Sequence, residues 1–170
     1  MNRQTIPPAS PAASNRTAGH IPAGNPGEGM TERTLCIIKP DGVGNGHVGE
    51  IITRIEREGF TILGMKSARL DRATAEHFYE VHRGRPFFED LCDMMSGDRV
   101  VLIALERENA VEHWRSVIGA TDPAEAEEGT LRALYGVDKG KNTVHGSDSP
   151  ENGMREVAVF FSERELIEQR

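Results

Sequence analysis

From residue 34 onward, short β-branched runs alternate with stripes of period 3.6. Few other features narrow the possible folds so sharply. Residues 34–38, 61–70, 100–105 and 157–161 read as four strands. Between the first two, Val48, Ile51, Ile52 and Ile55 fall at i, i+3, i+4 and i+7 of a helix that Gly59 ends. Asp71 is positioned to cap a helix whose Ala75, Phe78, Tyr79 and His82 share a face. A short helix follows Pro86, Asn109 caps a helix over 109–118, and a last helix begins after Ser162. This alternation predicts an α/β layered domain, with helices covering a sheet.

Residues 1–29 break the pattern. They hold five of the nine prolines and only three charges, Arg3, Arg16 and Glu28. So little apolar surface cannot offset the entropy of ordering. The chain is therefore read as a disordered N-terminal extension over 1–30 and a folded domain over 31–170. Met30 is a candidate natural start. The prolines argue against an amphipathic targeting helix.

Twenty Lys and Arg against 27 Asp and Glu give a net charge of -7, a poor match for a phosphate backbone, so no nucleic-acid partner is expected. No apolar run reaches the roughly 20 residues of a membrane span. Cys36 and Cys92 form neither a metal-type spacing nor a disulfide framework, which fits a reducing, cytoplasmic location.

Gly44-Asn45-Gly46-His47-Val48-Gly49 matches G-x-G-x-x-G, and Asp71 stands where a dinucleotide fold would place its ribose acid. Pro40 to Val43 separate this glycine run from its strand, and four strands are too few for a full dinucleotide-binding sheet. The sequence contains no G-x-x-x-x-G-K-[ST] loop and no H-R-D or D-F-G set.

The polar run Asn142-Thr143-Val144-His145-Gly146-Ser147-Asp148-Ser149 is more informative. A neutral imidazole is a good nucleophile, Gly146 clears bulk beside it, and Ser147 adds a hydroxyl. Charges in apolar positions accompany it. Arg115 falls inside the stripe of Val111, Trp114 and Ile118. Lys39 follows the alternation of Leu35 and Ile37, and Glu156 falls with Ala158 and Phe160 at the mouth of the last predicted strand. Together with Arg132 they point to a polyanion site such as one for a triphosphate.

Lys39-Pro40-Asp41-Gly42-Val43, Arg85-Pro86-Phe87-Phe88, Gly119-Ala120-Thr121-Asp122-Pro123-Ala124, Gly129-Thr130-Leu131-Arg132 and the 142–149 run occur in that order. Together they strongly resemble the nucleoside diphosphate kinase family over residues 31–170. The resemblance implies a ferredoxin-like α/β sandwich with a four-stranded antiparallel sheet. It also implies transfer of a γ-phosphoryl group from a nucleoside triphosphate to a nucleoside diphosphate. In family terms His145 is the nucleophile and becomes phosphohistidine. Lys39, Arg115, Thr121 and Arg132 hold phosphates, with Lys39 and Asn142 also near the ribose. Phe87 stacks on the base, Tyr79 and Glu156 support the histidine, and Ser147 lies close to the transferring group. Mg²⁺ arrives on the nucleotide phosphates, with no metal site in the protein. The assembly implied is a homo-tetramer or homo-hexamer. The chain departs from the common family pattern at Gly97-Asp98-Arg99, where Ser-Gly-Pro is frequent, and at Leu134, where Asp is frequent.

Overall fold

The computed structural model describes residues 31–167; the extension expected over 1–30 lies outside the described residues. Strands β1 (Thr31–Ile38), β2 (Thr61–Arg69), β3 (Arg99–Glu108) and β4 (Val144–Gly146) form one sheet in the order β2-β3-β1-β4. Every pairing in it is antiparallel. Helices α1 (Pro40–Gly44) and α2 (Val48–Arg57) follow β1, and α3 (Arg72–Phe78) and α4 (Phe88–Gly97) follow β2. After β3 come α5 (Ala110–Ile118) and α6 (Leu131–Tyr135), and after β4 come α7 (Pro150–Phe160) and α8 (Glu163–Ile167). The α/β class and the four-stranded antiparallel sheet agree with expectation. The antiparallel pairing removes the dinucleotide reading of the glycine loop, which requires parallel strands joined by crossovers. Asp71 instead caps α3, its carboxylate accepting from the Thr74 amide at 2.7 Å.

Because side chains alternate along a strand, β1 supplies both faces of the sheet. Leu35 and Ile37 join Leu102 and Ala104 under α3, α4 and α7. Cys36 and Ile38 join Val101, Ile103 and Leu105 under α2 and α5. Both cysteines are buried as free thiols. No helix among the described residues is long and apolar enough to cross a membrane.

Three sequence expectations need correction. Residues 157–161 are not the fourth strand: Pro150–Phe160 is helical, and Glu156 sits on that helix rather than at a strand mouth. The β-branched composition of 157–161 gives way to a strong start signal, Ser149 at the N-cap accepting from the Asn152 amide and Pro150 at the first turn. Gly153 lets α7 lie directly on β1, since a Cβ there would stand 2.1 Å from the Arg33 carbonyl oxygen. The fourth strand is instead the short run around His145. Secondly, Arg115 is not in the buried stripe. Ala110, Val111, Trp114, Val117 and Ile118 form that arc, and Arg115 is exposed on its flank, about 100° from the centre of the arc. Thirdly, Asn109 occupies the N-cap of α5 without a side-chain capping bond, its φ being 52°. Glu32 takes the role, its carboxylate accepting from the Val111 amide at 3.2 Å.

The departure at Asp98 has a local use. Its carboxylate accepts from the Arg99 amide at 2.7 Å and pairs with Arg69 at 3.0 Å, closing the end of the β2–β3 ladder.

The segment leading into α8 is pinned to the β2 edge. Lys66 donates to the Phe160 carbonyl at 2.9 Å and pairs with Glu165 at 2.6 Å, while Glu165 also accepts from the Ser162 amide and hydroxyl. The Lys66 bond, then the Ser162 bonds, hold the Glu165 carboxyl down at about 2. A depressed carboxylate stabilises the fold above its unfolded value of 4.5, and that contribution is lost as pH falls toward 2. Glu165→Gln should therefore flatten the acid side of a melting-temperature profile below pH 5. An unchanged profile in that window would show that the pin contributes nothing.

Candidate active site

His145 is the middle residue of β4 and pairs with Ile37 of the central strand β1. Its Nε2 lies 2.8 Å from Glu156 Oε2. A carboxylate only accepts, so in the neutral ring Nε2 carries the proton and Nδ1 keeps the lone pair. The Ser147 hydroxyl, wholly buried, donates to the same Oε2 at 2.7 Å and accepts from the Leu35 amide at 3.1 Å. A relay of three groups, the Leu35 amide on β1, the Ser147 hydroxyl and the Glu156 carboxylate on α7, thus sets the orientation of the imidazole. Phe78 meets the ring edge-on at 5.3 Å and Tyr79 does so at 6.4 Å. Tyr79 is buried, its hydroxyl has no partner among the described residues, and burial raises its pKa. It touches the histidine through its ring rather than through a hydrogen bond.

Lys39 directly follows β1 and occupies the N-cap of α1 in extended conformation. It is only 6% exposed. Its Nζ donates to Asn142 Oδ1 at 2.6 Å, and the Asn142 amide donates on to the Thr121 carbonyl at 2.9 Å. Asn142 therefore ties the lysine to the loop at 119–122. Burial, followed by the charge of Arg132, lowers Lys39 to about 8. The Thr121 side chain is exposed.

Arg132 sits on α6 and is nearly buried. It donates to the Gly119 and Val144 carbonyls, each at 2.9 Å. Its Nε has no partner among the described residues. Burial, then Arg115, lowers its pKa to about 10. A buried guanidinium with an unused donor is a ready ligand for an anion. Arg115 is more remote in contacts. It lines an open cleft of about 370 Å³ with Glu32, Asn109, Val111, Glu112, Asp148 and Pro150, bordering the His145 segment only at its far end. Phe87 is half exposed at the N-cap of α4, its ring 5.4 Å from that of His82.

Three positioning groups escaped the sequence reading. Asp41 accepts from the Thr143 amide at 2.9 Å and holds this residue at a φ of 70°. That backbone costs a β-branched residue on the order of 1–3 kcal/mol. Asp41 stands in the quoted Lys39–Val43 motif, but the motif does not reveal what it holds. Trp114 donates to the His145 carbonyl at 3.2 Å. Its only advance signal is Gly146, where a Cβ would stand 2.6 Å from the indole. Phe78 was read simply as a core residue of its helix.

Apart from the carboxylates of Glu156, on Nε2, and Asp41, on the Thr143 amide, the polar side chains of this region are the cations Lys39 and Arg132, the Asn142 amide and the Ser147 hydroxyl. Such a donor set suits phosphate oxygens rather than a bare metal ion. Among the described residues no group of three or more His, Cys, Asp or Glu could hold a metal.

Comparison with known proteins finds relatives of this chain and its fold. Residues 32–166 match the family described as nucleoside diphosphate kinase. The chain is 53% identical over 136 residues to the nucleoside diphosphate kinase of Geotalea uraniireducens (strain Rf4), which covers 80% of this chain and 99% of that protein. Among solved structures it is similar to the Aquifex aeolicus nucleoside diphosphate kinase, with a TM-score of 0.79 and 44% identity over 81% of this chain and 99% of that one. A halophilic nucleoside diphosphate kinase from Halobacterium salinarum in complex with CDP gives a TM-score of 0.77 and 39% identity, over 81% of this chain and 91% of that one.

Proposed function

The chain belongs to the nucleoside diphosphate kinase family, and from that premise we propose how its own residues carry the reaction. The enzyme moves the γ-phosphoryl group of a nucleoside triphosphate to a nucleoside diphosphate by two displacements through one histidine. The observation that supports His145 as that histidine is the pairing of Nε2 with Glu156, which leaves Nδ1 as the free nucleophile. In the first displacement the Nδ1–P bond forms as the bond from phosphorus to the bridging β-phosphate oxygen breaks, and the diphosphate departs. The Nε2 proton stays in place, and the positive charge that builds on the imidazole faces the Glu156 carboxylate. The second displacement reverses these bonds with a new diphosphate. A nitrogen–phosphorus bond keeps the group's transfer potential high, so both halves run with little net free-energy change.

Phosphoryl transfer passes through a loose transition state with charge spread over the equatorial oxygens, so fixed cations and donors supply much of the rate. Lys39, Arg115, Thr121 and Arg132 are proposed to hold phosphates, with Lys39 and Asn142 also near the ribose. Phe87 offers a half-exposed ring to the base. Stacking reads a π-face rather than a hydrogen-bond pattern, so purines, pyrimidines and deoxynucleotides should all be accepted. CDP in the Halobacterium salinarum relative is a nucleotide of this class. Mg²⁺, carried by the nucleotide's own phosphate oxygens, supplies charge neutralisation when bound. The working unit is residues 31–170, the location cytoplasmic, and the assembly a homo-tetramer or homo-hexamer. Met65, half exposed on β2, offers apolar surface for such contacts.

Initial-rate kinetics with ATP and a dTDP-like acceptor should give parallel double-reciprocal lines and ADP production. Intersecting lines, with both nucleotides bound together, would overturn the double displacement. No turnover would favour a silent relative.

Glu156→Gln keeps an acceptor for Nε2 but removes the charge. We expect the single-turnover rate of His145 phosphorylation to fall about 10- to 100-fold while nucleotide KM shifts by less than threefold. An unchanged rate would mean the carboxylate only fills space.

A further inference from the structure

Trp114 is the chain's single tryptophan and is wholly buried on α5. Packing accounts for its ring, which meets Phe60 edge-on at 5.7 Å. Packing does not account for its N–H. That donor goes to the carbonyl of His145 at 3.2 Å, the main chain of the proposed nucleophile itself. The same indole lies close enough to residue 146 that only glycine fits there, a Cβ being 2.6 Å from Cδ1 and 3.0 Å from Nε1.

The need for such a tether follows from topology. β4 has three residues, lies at the edge of the sheet and, among the described residues, pairs only with β1. Helix side chains supplement that pairing, Arg132 at the Val144 carbonyl and Trp114 at the His145 carbonyl. Glu156 controls how the imidazole is turned, but it cannot fix where the ring's root stands. A displacement of about 1 Å in a reacting group can cost about 100-fold in rate.

We propose that Trp114 is a positioning residue for phosphoryl transfer, its indole N–H fixing the main chain of His145 so that Nδ1 meets phosphorus at a constant distance. The proposal rests on the reading of His145 as nucleophile.

The test exploits the single tryptophan. Growth of the full chain with β-(3-benzothienyl)alanine in place of tryptophan replaces this N–H, and no other, by sulfur in a ring of nearly the same shape. W114F is made beside it. The benzothienyl protein should label His145 from γ-labelled ATP about tenfold more slowly in single turnover. Its nucleotide KM should change by less than twofold and its melting temperature by only a few degrees. In the parent, labelled with 15N at the indole, the one indole N–H resonance should shift when His145 is charged. A folded benzothienyl protein that charges at the parent rate overturns this proposal alone, as does an indole resonance that stays put on charging. A parent that takes no label on His145 overturns the reading of the reaction, and this proposal with it. Should either substituted protein fail to fold, the resonance experiment on the parent still decides.

Discussion

His145→Ala should reduce phosphotransfer between ATP and a nucleoside diphosphate by about five to six orders of magnitude, the scale seen when a covalent nucleophile is deleted. It should also abolish the acid-labile, alkali-stable label that γ-labelled ATP leaves on the parent. The expectation is so large because nothing nearby can substitute. Ser147, the adjacent hydroxyl, is wholly buried and already donates to Glu156. Glu156 is committed to Ser147 and, through Nε2, to the ring. A serine ester would in any case be a thermodynamic sink, unable to pass the group on. The fold should tolerate the change, since His145 is partly exposed and its main chain keeps its bonds to β1 and Trp114. Label of the same chemical stability on the alanine variant would falsify the nucleophile assignment.

Lys39→Met should lower kcat/KM about 10²- to 10³-fold, the usual loss when one preorganised donor to a transition-state oxyanion is removed. The lysine also gives a pH signature. Burial and the neighbouring Arg132 depress it to about 8, against 10.5 when exposed. Rising pH through 8 then removes the charge in the folded, free enzyme, so kcat/KM should show an alkaline limb near pH 8. Lys39→Arg should move that limb out of the accessible range. Stability should run the opposite way. Between pH 8 and 10.5 the unfolded chain holds a proton that the folded chain has released, so stability from this group rises with pH across that window. Activity falling while resistance to urea rises, over the same pH units, is hard to obtain from any general effect of alkali. A flat kcat/KM between pH 7 and 9 would remove Lys39 from the charge-dependent step.

The sequence disclosed more of the site's membership than of its construction. His145, Glu156 and Ser147 were each picked out, and the structure joins all three through one carboxylate oxygen. Lys39, Asn142 and Thr121 were also picked out, and they form a second connected set. What stayed hidden was the element carrying each residue. The run around His145 is polar and glycine-containing and so reads as a loop, yet it forms a strand because β1 offers an unpaired edge, a condition no local pattern reports. The run after Glu156 is β-branched and so reads as a strand, yet Ser149 and Pro150 commit it to a helix that packs on β1. Arg115 was misplaced for a different reason. Four-residue spacing in a helix advances 40° beyond a full turn, enough to carry a side chain from the buried arc to its rim. Asp41 and Trp114 escaped because each acts on main chain far away in sequence, and a bond to another segment's backbone leaves no trace in residue type.

The order of the strands also sets when the enzyme becomes competent. The Leu35 amide that supports Ser147 belongs to the first strand made, and its partner follows 112 residues later. Glu156 emerges later still. During synthesis the early sheet can pair β1 with β3, but no nascent chain ending before α7 can hold its imidazole in register. Closing so wide a loop is slow relative to local contacts. Refolding from denaturant should therefore regain helical signal and burial before turnover, with phosphotransfer appearing in the final kinetic phase.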